Sequence, residues 1–535
     1  MRCVTISFLF LSVLFNSAYA QSLAPLPLKL GGQYTGGCGT SHPLPGDATA
    51  ISWSAGGDVC ALKQSWCNGK PLFDIIVGGN TYTINSVNCF PDVRKLASLL
   101  GISPVFGRAG APLSKLYDQL GGTSGFVQAT SANRPAIWLI NGIVSIAFDG
   151  FLVDFGSGSQ DDRFLNFPSI TTNNQNTTAY AAIQASSSCA SFGYGSAGDY
   201  PVLFSTSPAG ATGFSVQTNI PNPLGAFSWV SVSAVNTGLW LETQPAVIGV
   251  IASSGAFTMT QNEESGAGAA LASGTATGGT LGAINFFSQK SGFFGRMYGF
   301  VIAGAIAATS GQQIAMRNAF YGLHNIAKAT PKYSILIDGA SVDAGVGSLI
   351  GGINGYGWAE QMLAFLPYPI RTGNTSVQGA KILDLNGTVS AFQCNFFQAT
   401  GTNVLIGPGF AAGNSISGGK TGAQTYADLV TYLTSIKACS HAPTIIMVYL
   451  LASSGSDAEN DYNVLVIANA ATLGITPIGG GPAGGYQNTI MSQFQVANAQ
   501  YFNQSPAWIA SHPTIVGYQN MSLPPLAAIQ RALGP

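Results

Sequence analysis

The pattern of apolar and polar residues changes near residue 330, and this change limits the folds that the chain can adopt. Before that point, short apolar or alternating runs recur between clusters of Gly, Asn and Ser, among them FDIIVGG, AIWLING, FSWVSVSAV and GRMYGFVIAGAI. Many short strands separated by turn residues, with almost no helical periodicity, indicate a β-sandwich or a barrel. One helical pattern, SGQQIAMRNAFYGLHNIAKA, closes this half, and Pro331 marks the predicted linker.

Residues 333–535 instead alternate strand patterns with helix patterns. The runs YSILIDG, TNVLIGPG and PTIIMVYLLAS predict strands, and GYGWAEQMLAFL, TGAQTYADLVTYLTSIKAC, DYNVLVIANAATLG and LPPLAAIQRAL predict helices. Thr421, followed by Gln424 three residues later, is typical of a capping box at the start of a helix. Strand–helix alternation predicts βαβ units around a parallel sheet. We therefore expect a multidomain chain, all-β first and α/β second.

The N-terminus has the pattern of a targeting segment. Arg2 precedes the apolar run VTISFLFLSVLF, and the small residues Ala18 and Ala20 follow. This is typical of a secretory signal peptide that is cut after Ala20. We expect residues 1–20 to be removed and the mature chain to be secreted, into either the extracellular space or the periplasm. No other stretch holds about 18 uninterrupted apolar residues, so no membrane span is predicted.

Charge is scarce in this sequence. Charged residues make up 8% of the chain and the net charge is −1, against roughly 25% charged residues in typical soluble domains. Such a chain lacks the electrostatic footprint of a nucleic-acid-binding protein. Its uncharged polar residues suit a neutral partner, so we expect a polysaccharide or another glycan and no nucleic acid. The oligomeric state is not readable from the sequence.

Cysteines are expected to form disulfides in an exported protein. Seven remain after the signal segment, and four of these lie within residues 38–89, so one or two local bridges are plausible there. The pairing is not readable from spacing, and an odd count leaves at least one cysteine unpaired within the chain. No Cys-x-x-Cys pair, nearby His pair or nucleotide-binding fingerprint is present, so neither a metal nor a cofactor is predicted.

The order of motifs in the C-terminal half resembles that of the SGNH, or GDSL-like, hydrolases. DGASVDAG comes near its start, TNVLIGPG precedes TGAQTYADLVTYL, and SHPTIVGY lies near its end. The resemblance implies a flavodoxin-like, three-layer α/β domain over residues 331–535. It also implies a nucleophile at Ser341, which matches the family's Gly-Asp-Ser serine. The corresponding base is His512, which matches the histidine of the family's Asp-x-x-His-Pro motif.

The chain departs from the family pattern at several other positions. Ala340 replaces the aspartate of the nucleophile turn, and Ile509 stands where the family carries the acid that orients the histidine. The family's Gly-x-Asn-Asp oxyanion motif corresponds to Gly409-Phe410-Ala411-Ala412, which lacks the asparagine. Asn414 is then the nearest substitute oxyanion donor. The glycine of the family's second block falls near Ala391.

The topology implied by this resemblance makes a geometric prediction. Ser341 would end the first strand, and His512 would lie in the loop before the last helix. Both would then reach the carboxyl edge of the sheet, where such folds keep their sites. We expect the two side chains to lie within hydrogen-bond distance or one water apart. Trp508, close to His512 in sequence, is a candidate for substrate binding.

The N-terminal half resembles the family 54 α-L-arabinofuranosidases. The shared segments are YTGGCG, SKLYDQLGGTSGFVQATSANRPAIWLINGIVSIAFDG and GRMYGFVIAG. The resemblance implies a concanavalin- or lectin-like β-sandwich over residues 21–330. Glycosidases use two carboxylates that flank the scissile bond. The stretches that correspond to those positions, GAINFFSQKSGFFGRMYG and SPAGATGFSVQTN, contain no carboxylate. The implied fold is therefore expected without arabinofuranosidase activity.

Two interpretations of function stay open at this point. In the first, two degenerate enzyme folds form a non-catalytic glycan-binding or matrix protein. In the second, the protein is a carbohydrate ester hydrolase with Ser341 as nucleophile and His512 as base. A serine hydrolase needs a base, a group that orients the base and oxyanion donors. In this chain, the family positions for the group that orients the base and for the oxyanion donor carry other residues.

Overall fold

Two regions of different architecture follow one another in the computed structural model of the chain. The structure describes residues 29–30, 33–39, 44–122, 124–148, 165–166, 170–171, 176–185, 202–205, 215–219, 226–230, 234–236, 244–253, 256–262, 264–267, 280–281, 285–286, 295–326, 331–345, 347–348, 350, 356–363, 365–366, 370–376, 379–390, 393–451, 456–479 and 512–533.

The N-terminal half is built from strands, with few helices. Its strands β1 to β23 are, in order, Lys29–Leu30, Gln33–Tyr34, Ala55–Asp58, Asn68–Val77, Asn80–Val87, Phe90–Pro91, Arg108–Leu116, Phe126–Val127, Ala136–Ile140, Ile143–Phe148, Leu165–Asn166, Ile170–Thr171, Asn176–Ala185, Val202–Ser205, Ser215–Asn219, Ala226–Val230, Ala234–Asn236, Ala246–Ser253, Ala256–Gln261, Glu264–Ala267, Thr280–Leu281, Asn285–Phe286 and Gly295–Ala303. Its helices α1 to α3 are Pro45–Ala48, Val93–Leu100 and Ser310–His324.

Antiparallel pairing joins most of these strands into two large sheets. In one sheet β23 pairs with β13 along one edge and with β10 and β3 along the other, and β9 pairs with β10. In the other sheet β7 pairs with β4 and β8. Because β7 also pairs with β9, it connects the two sheets. A hydrophobic core contains side chains from both, for example Phe73, Val144 and Val301. The sandwich predicted for this half is confirmed.

The C-terminal half alternates strands and helices. Its strands β24 to β28 are Tyr333–Ile337, Ile370–Asn374, Thr402–Ile406, Ile445–Tyr449 and Thr476–Ile478. Its helices α4 to α11 are Trp358–Leu363, Ile382–Asn386, Gln393–Phe396, Ala411–Ser417, Gly422–Lys437, Asp457–Ala468, Ala470–Leu473 and Ile515–Leu533. The strands form one parallel sheet in the order β25-β24-β26-β27-β28, which is the flavodoxin-like order.

Two separate apolar clusters pack in this half. Leu336 and Leu405 belong to one together with residues of α8, whereas Ile335 and Ile337 belong to the other together with residues of α4 and α11. Successive residues of a strand point to opposite faces of its sheet, so helices cover both faces. This confirms the three-layer α/β architecture expected from the sequence.

Two elements of the α/β half differ from the sequence-based prediction. Strand β25 was not predicted, because its sequence, IRTGN, is mostly polar. Helix α11 begins at Ile515, whereas the pattern LPPLAAIQRAL predicted a start at Leu523. Proline favours the first turn of a helix because it lacks an N–H. Here the earlier turns bury Tyr518 and Met521, and this packing carries the helix through its two prolines.

The two halves have separate cores. Ile326, just after α3, belongs to the core of the sandwich, and Ile335 belongs to a core of the parallel-sheet region. A domain boundary at residues 330/331 agrees with this separation and stays a prediction.

Three disulfides form among the described residues: Cys38–Cys60, Cys67–Cys89 and Cys394–Cys439. Two of them lie within residues 38–89, where local bridges were expected. The seventh cysteine of the mature chain, Cys189, lies outside the described residues. So does the segment 1–20, and the signal peptide stays a prediction. In the part of the chain that the structure describes, no helix is long and apolar enough to span a membrane.

Candidate active site

Ser341 and His512 meet at the carboxyl edge of the parallel sheet. Ser341 lies in the turn that follows β24, and His512 lies three residues before the start of α11. The His512 Nε2 atom is 2.9 Å from the Ser341 Oγ atom. The next strand along the chain, β25, lies on one side of β24, and the following strand, β26, lies on the other. Such a reversal of strand order forms a crevice in which ligands bind in open α/β sheets. The pair has the geometry of a nucleophile and its base.

The turn that carries Ser341 is a short helical turn. The Ala344 N–H donates to the Ala340 carbonyl oxygen at 2.9 Å, and the Gly345 N–H donates to the Val342 carbonyl oxygen at 3.1 Å. Ser341 itself is 9% exposed. The turn is therefore ordered by its own backbone hydrogen bonds.

Asp343 fastens this turn to the next loop of the sheet edge. Its Oδ2 atom accepts the Ala340 N–H at 2.8 Å and the Phe410 N–H at 2.9 Å. Gly409 has φ +49°, and a Cβ atom at this position would lie 2.4 Å from Asp343 Oδ1. The loop after β26 therefore requires glycine here. Sequence reasoning missed Asp343, because nothing in DGASVDAG shows which N–H groups the carboxylate would meet.

Two buried carboxyl groups, those of Asp338 and Asp343, lie in the chain around Ser341. Burial raises the pKa of Asp343 to about 7, although N–H groups of Ala340 and Phe410 and the Trp358 indole oppose the shift. Burial likewise raises the pKa of Asp338 to about 6. Its Oδ2 atom accepts the Tyr432 hydroxyl at 2.7 Å and the Gln393 amide at 2.9 Å. Both carboxyl groups are buried and hydrogen-bonded within the fold, so they hold neighbouring chain segments in place.

Strand β25 also contributes to the edge. The Asn374 Nδ2 group donates to the Asp343 carbonyl oxygen at 3.0 Å, and the Ser376 N–H donates to Asn374 Oδ1 at 2.8 Å. The chain after β25 is thereby attached to the turn of Ser341. The segment after β25 precedes Ala391, the position that the sequence assigned to the family's second block. Ala391 itself lies outside the described residues.

The other predicted site residues are distributed as follows. Asn414 lies in α7, and its Nδ2 group donates to the Ala380 carbonyl oxygen at 2.9 Å. That hydrogen bond links α7 to the segment before α5, and the oxyanion role of Asn414 stays a prediction. Trp508 and Ile509 lie outside the described residues.

A cluster of possible metal ligands in the sandwich is a buried hydrogen-bonded group with a structural role. Asp58, Cys60 and His324 are buried close together, but the Cys60 sulfur is bonded to Cys38. The His324 Nε2 atom lies 3.0 Å from Asp58 Oδ2, and the Cys60 N–H donates to Asp58 Oδ1 at 2.7 Å. A disulfide sulfur is not a thiolate ligand, so the cluster lacks one of its three possible metal ligands. The contact between His324 and Asp58 instead anchors α3 to β3.

Asp118, one of the few acidic residues of the sandwich, is also structural. Its Oδ1 atom accepts the N–H groups of Gly56, Leu120 and Gly121 at 2.9 to 3.0 Å. The two stretches in which the sequence found no glycosidase carboxylate lie mostly outside the described residues.

No family model and no curated protein matches this chain. Solved structures do, and they fall into two groups, as the sequence resemblance does. A family 54 α-L-arabinofuranosidase soaked with a cyclic sulfate inhibitor is 11% identical with a TM-score of 0.37, over 50% of this chain and 62% of that one. The chain thus spans less than two thirds of that protein's length.

The second group consists of GDSL-type structures. The acetylxylan esterase Axe2 from Geobacillus stearothermophilus is 16% identical with a TM-score of 0.28, over 39% of this chain and 97% of that one. A putative GDSL-like lipase from Parabacteroides merdae is 14% identical with a TM-score of 0.29, over 38% and 98%. These identities and TM-scores are too low to bear on activity or substrate. The chain is thus similar, half by half, to an arabinofuranosidase and to GDSL-type esterases.

Proposed function

We propose that this protein is a serine ester hydrolase that acts on acylated carbohydrate, with Ser341 as nucleophile and His512 as general base. The observation that carries the proposal is the 2.9 Å distance between His512 Nε2 and Ser341 Oγ. A serine hydroxyl is a weak nucleophile unless a base within hydrogen-bond reach accepts its proton. The turn serine therefore has the partner that chemistry at this position requires.

The reaction follows from this pair. Ser341 Oγ attacks the ester carbonyl carbon while its proton passes to His512 Nε2. The protonated imidazole then gives that proton to the departing alcohol, which leaves an acyl-enzyme. Water, deprotonated by His512, attacks the acyl carbonyl and releases the acid and the free serine.

Stabilisation of the oxyanion is proposed to come from backbone groups, with the Ser341 N–H as the first candidate and the Asn414 amide as the second. Loss of one oxyanion donor costs roughly 10²- to 10³-fold in rate, and loss of the orienting acid costs about 10⁴-fold in a triad enzyme. Because Ile509 stands at the family's acid position, we expect slow turnover.

An acetyl or other small acyl ester on a neutral glycan is the substrate class that we propose. The chain carries a net charge of −1 with 8% charged residues, so it offers little to attract an ionic substrate. The predicted signal peptide and the three disulfides support a setting outside the cytoplasm, where polysaccharides are found.

Hydrolysis of 4-nitrophenyl acetate and of an acetylated oligosaccharide tests this function. The mature full-length chain should hydrolyse both, and Ser341→Ala and His512→Ala should each lower kcat by roughly 10²-fold or more. Ser440→Ala and His441→Ala are matched controls, because both residues are exposed and lie in the loop before β27, at the amino edge of the sheet and away from Ser341. Equal rates in the parent and Ser341→Ala would overturn the proposal.

The second candidate is a non-catalytic glycan-binding protein, and the replaced family residues Ala340 and Ile509 favour it. In this case the parent protein would hydrolyse neither ester but would be retarded in a native gel that contains acetylated polysaccharide. Retention should then be the same for the parent and for Ser341→Ala. A retardation that disappears on deacetylating the polysaccharide would identify the acyl group as the recognised feature.

A further inference from the structure

Strand β9 of the sandwich is buried on both faces, which is unusual for a strand of an antiparallel sheet. Its sequence, AIWLI, is apolar throughout, and all five residues are buried. Ile137 and Leu139 point into the core of the sandwich. Ala136, Trp138 and Ile140 point the other way, into a separate apolar cluster. Something other than the sandwich therefore covers the outer face of this strand.

Residues of the α/β half provide that cover. The outer cluster contains Ile350 and Tyr356, and Ile515 packs against it. The Trp138 Nε1–H donates to the Ile350 carbonyl oxygen at 2.9 Å. The rings of Trp138 and Tyr356 meet edge to face with centroids 6.1 Å apart. The Arg296 guanidinium from β23 lies over the Tyr356 ring, 4.6 Å from its centroid.

Tyr356 is in turn attached to the segment that follows Ser341. The Tyr356 N–H donates to Ser348 Oγ at 2.8 Å, and the Ser348 hydroxyl donates to the Gly345 carbonyl oxygen at 2.6 Å. Gly345 closes the turn of Ser341 through its N–H bond to Val342. Ring contacts therefore join the sandwich to Tyr356, and hydrogen bonds lead from Tyr356 through Ser348 to the nucleophile turn.

The same cluster reaches the segment that follows His512. Ile515 lies three residues after His512 and packs against the cluster. The Gln361 Nε2 group donates to the carbonyl oxygens of both Tyr356, at 3.1 Å, and Ile515, at 3.3 Å. One amide thus connects the two chain segments that carry the candidate nucleophile and the candidate base.

We propose that the sandwich positions the Ser341–His512 pair, with Trp138 as the main positioning residue; this inference rests on the function proposed above. Trp138 fixes Ile350 and Tyr356, Tyr356 fixes the segment after Ser341, and Gln361 ties this segment to Ile515. A base and a nucleophile on separate segments keep their distance only if both segments are held by common neighbours. The sandwich half is then a structural part of the hydrolase site and not an independent module.

A second contact between the halves provides an internal control. Gln244, which precedes β18, accepts the Ile370 N–H at 3.1 Å and donates to the Leu363 carbonyl oxygen at 3.4 Å. Ile370 begins β25, so it lies at the amino edge of the sheet, opposite the edge that carries Ser341. Gln244→Ala removes these two hydrogen bonds and leaves the groups of Trp138, Tyr356 and Gln361 that contact the segments after Ser341 and His512 in place.

The experiment compares four variants of the full-length chain. Trp138→Phe removes the indole N–H and keeps a ring, and Tyr356→Leu removes the ring beneath Arg296. Trp53→Phe, at a buried tryptophan of the sandwich core, and Gln244→Ala are the controls. Because the chain has four histidines, labelled imidazoles give a simple NMR spectrum, in which His512→Gln assigns the His512 signal. Steady-state kinetics with 4-nitrophenyl acetate and unfolding midpoints are measured in parallel.

We expect Trp138→Phe and Tyr356→Leu to shift the His512 signal and to lower kcat about 10-fold, with KM little changed. Trp53→Phe and Gln244→Ala should leave the His512 signal and kcat as in the parent, even where they lower the unfolding midpoint. If the parent proves inactive, the proposed function fails while the His512 signal still tests positioning. An unshifted His512 signal in both interface variants, or equal effects in all four variants, would overturn the inference.

Discussion

Asp343 is a buried carboxyl group whose hydrogen bonds hold the turn of Ser341. Its pKa is raised to about 7 by burial, above an unfolded value of about 3.9. Between these values the folded chain binds more protons than the unfolded chain. The free energy of unfolding that this group contributes therefore falls as the pH rises from about 4 to about 7. Asp338, with a pKa of about 6, acts in the same direction.

Asp343→Asn should accordingly flatten the pH dependence of stability. The amide is neutral at every pH in this range, and its oxygen can still accept the N–H groups of Ala340 and Phe410. Urea midpoints of the parent, measured between pH 4.5 and 7.5, should fall with pH more steeply than those of the variant. Asp461→Asn, at an exposed position, should follow the parent. The same slope in parent and Asp343→Asn would show that Asp343 does not titrate in this range.

His324 is predicted to be indispensable for the stability of the sandwich. Its Nε2 atom lies 3.0 Å from Asp58 Oδ2 in the buried interior, so His324→Leu would leave a buried carboxyl oxygen without this hydrogen-bond partner. Leaving a buried polar group unsatisfied costs about 1–3 kcal/mol in free energy of unfolding. His441→Leu, at an exposed position, should change stability by less than about 0.5 kcal/mol. A denaturant titration that finds both variants equally stable would contradict this account.

At the residue scale, the sequence predicted that Ser341 and His512 lie close together, but it did not predict which residues hold them in place. The order of two motifs along the chain is enough to bring both residues to one sheet edge. By contrast, the hydrogen bonds of Asp343 join residues 340, 343 and 410, and only the folded backbone shows which N–H groups converge there.

Among the elements, α8 begins as its local sequence predicts. The Gln424 N–H donates to Thr421 Oγ1 at 3.2 Å, and the Thr421 N–H donates to the Gln424 side chain at 3.0 Å. This is the capping box that the sequence predicted, and it satisfies two otherwise unpaired donors at the start of the helix.

Thr421→Ala should therefore destabilise the α/β half by about 1 kcal/mol. Thr431 lies in the exposed middle of the same helix, where its hydroxyl donates to the Ala427 carbonyl oxygen. Because threonine is a weaker helix former than alanine, Thr431→Ala should be neutral or slightly stabilising. Urea unfolding of the two variants tests the difference. Equal destabilisation would mean that the cap adds nothing beyond the loss of a side chain.

Elements whose stability comes from distant packing were less predictable. Strand β25 is mostly polar but pairs in parallel with β24, and its Arg371 lies 5.2 Å from the centre of the Phe396 ring. Helix α11 runs through Pro524 and Pro525 because its first turns are buried against the sheet. In both cases tertiary contacts outweigh the local preference of the residues.

The junction of the two halves is the feature of the whole molecule that the sequence analysis did not predict. Trp138 and Ile350 are separated by 212 residues along the chain, yet they share a buried hydrogen bond. The only sequence signal was that β9 is apolar throughout instead of alternating. In hindsight, a strand with two apolar faces in an antiparallel sheet indicates a second layer, but not which part of the chain supplies it.

We propose that the two halves of the molecule together hold an activated serine, Ser341. Labelling with a fluorophosphonate probe, followed by peptide mass spectrometry, tests it most directly, because the probe reacts with a serine whose proton is accepted by a base. The account predicts one modified serine, Ser341, with labelling lost in His512→Ala and retained in His441→Ala. No modification of Ser341 in the folded parent, or equal modification in His512→Ala, would contradict the account and leave Ser341 as a turn residue.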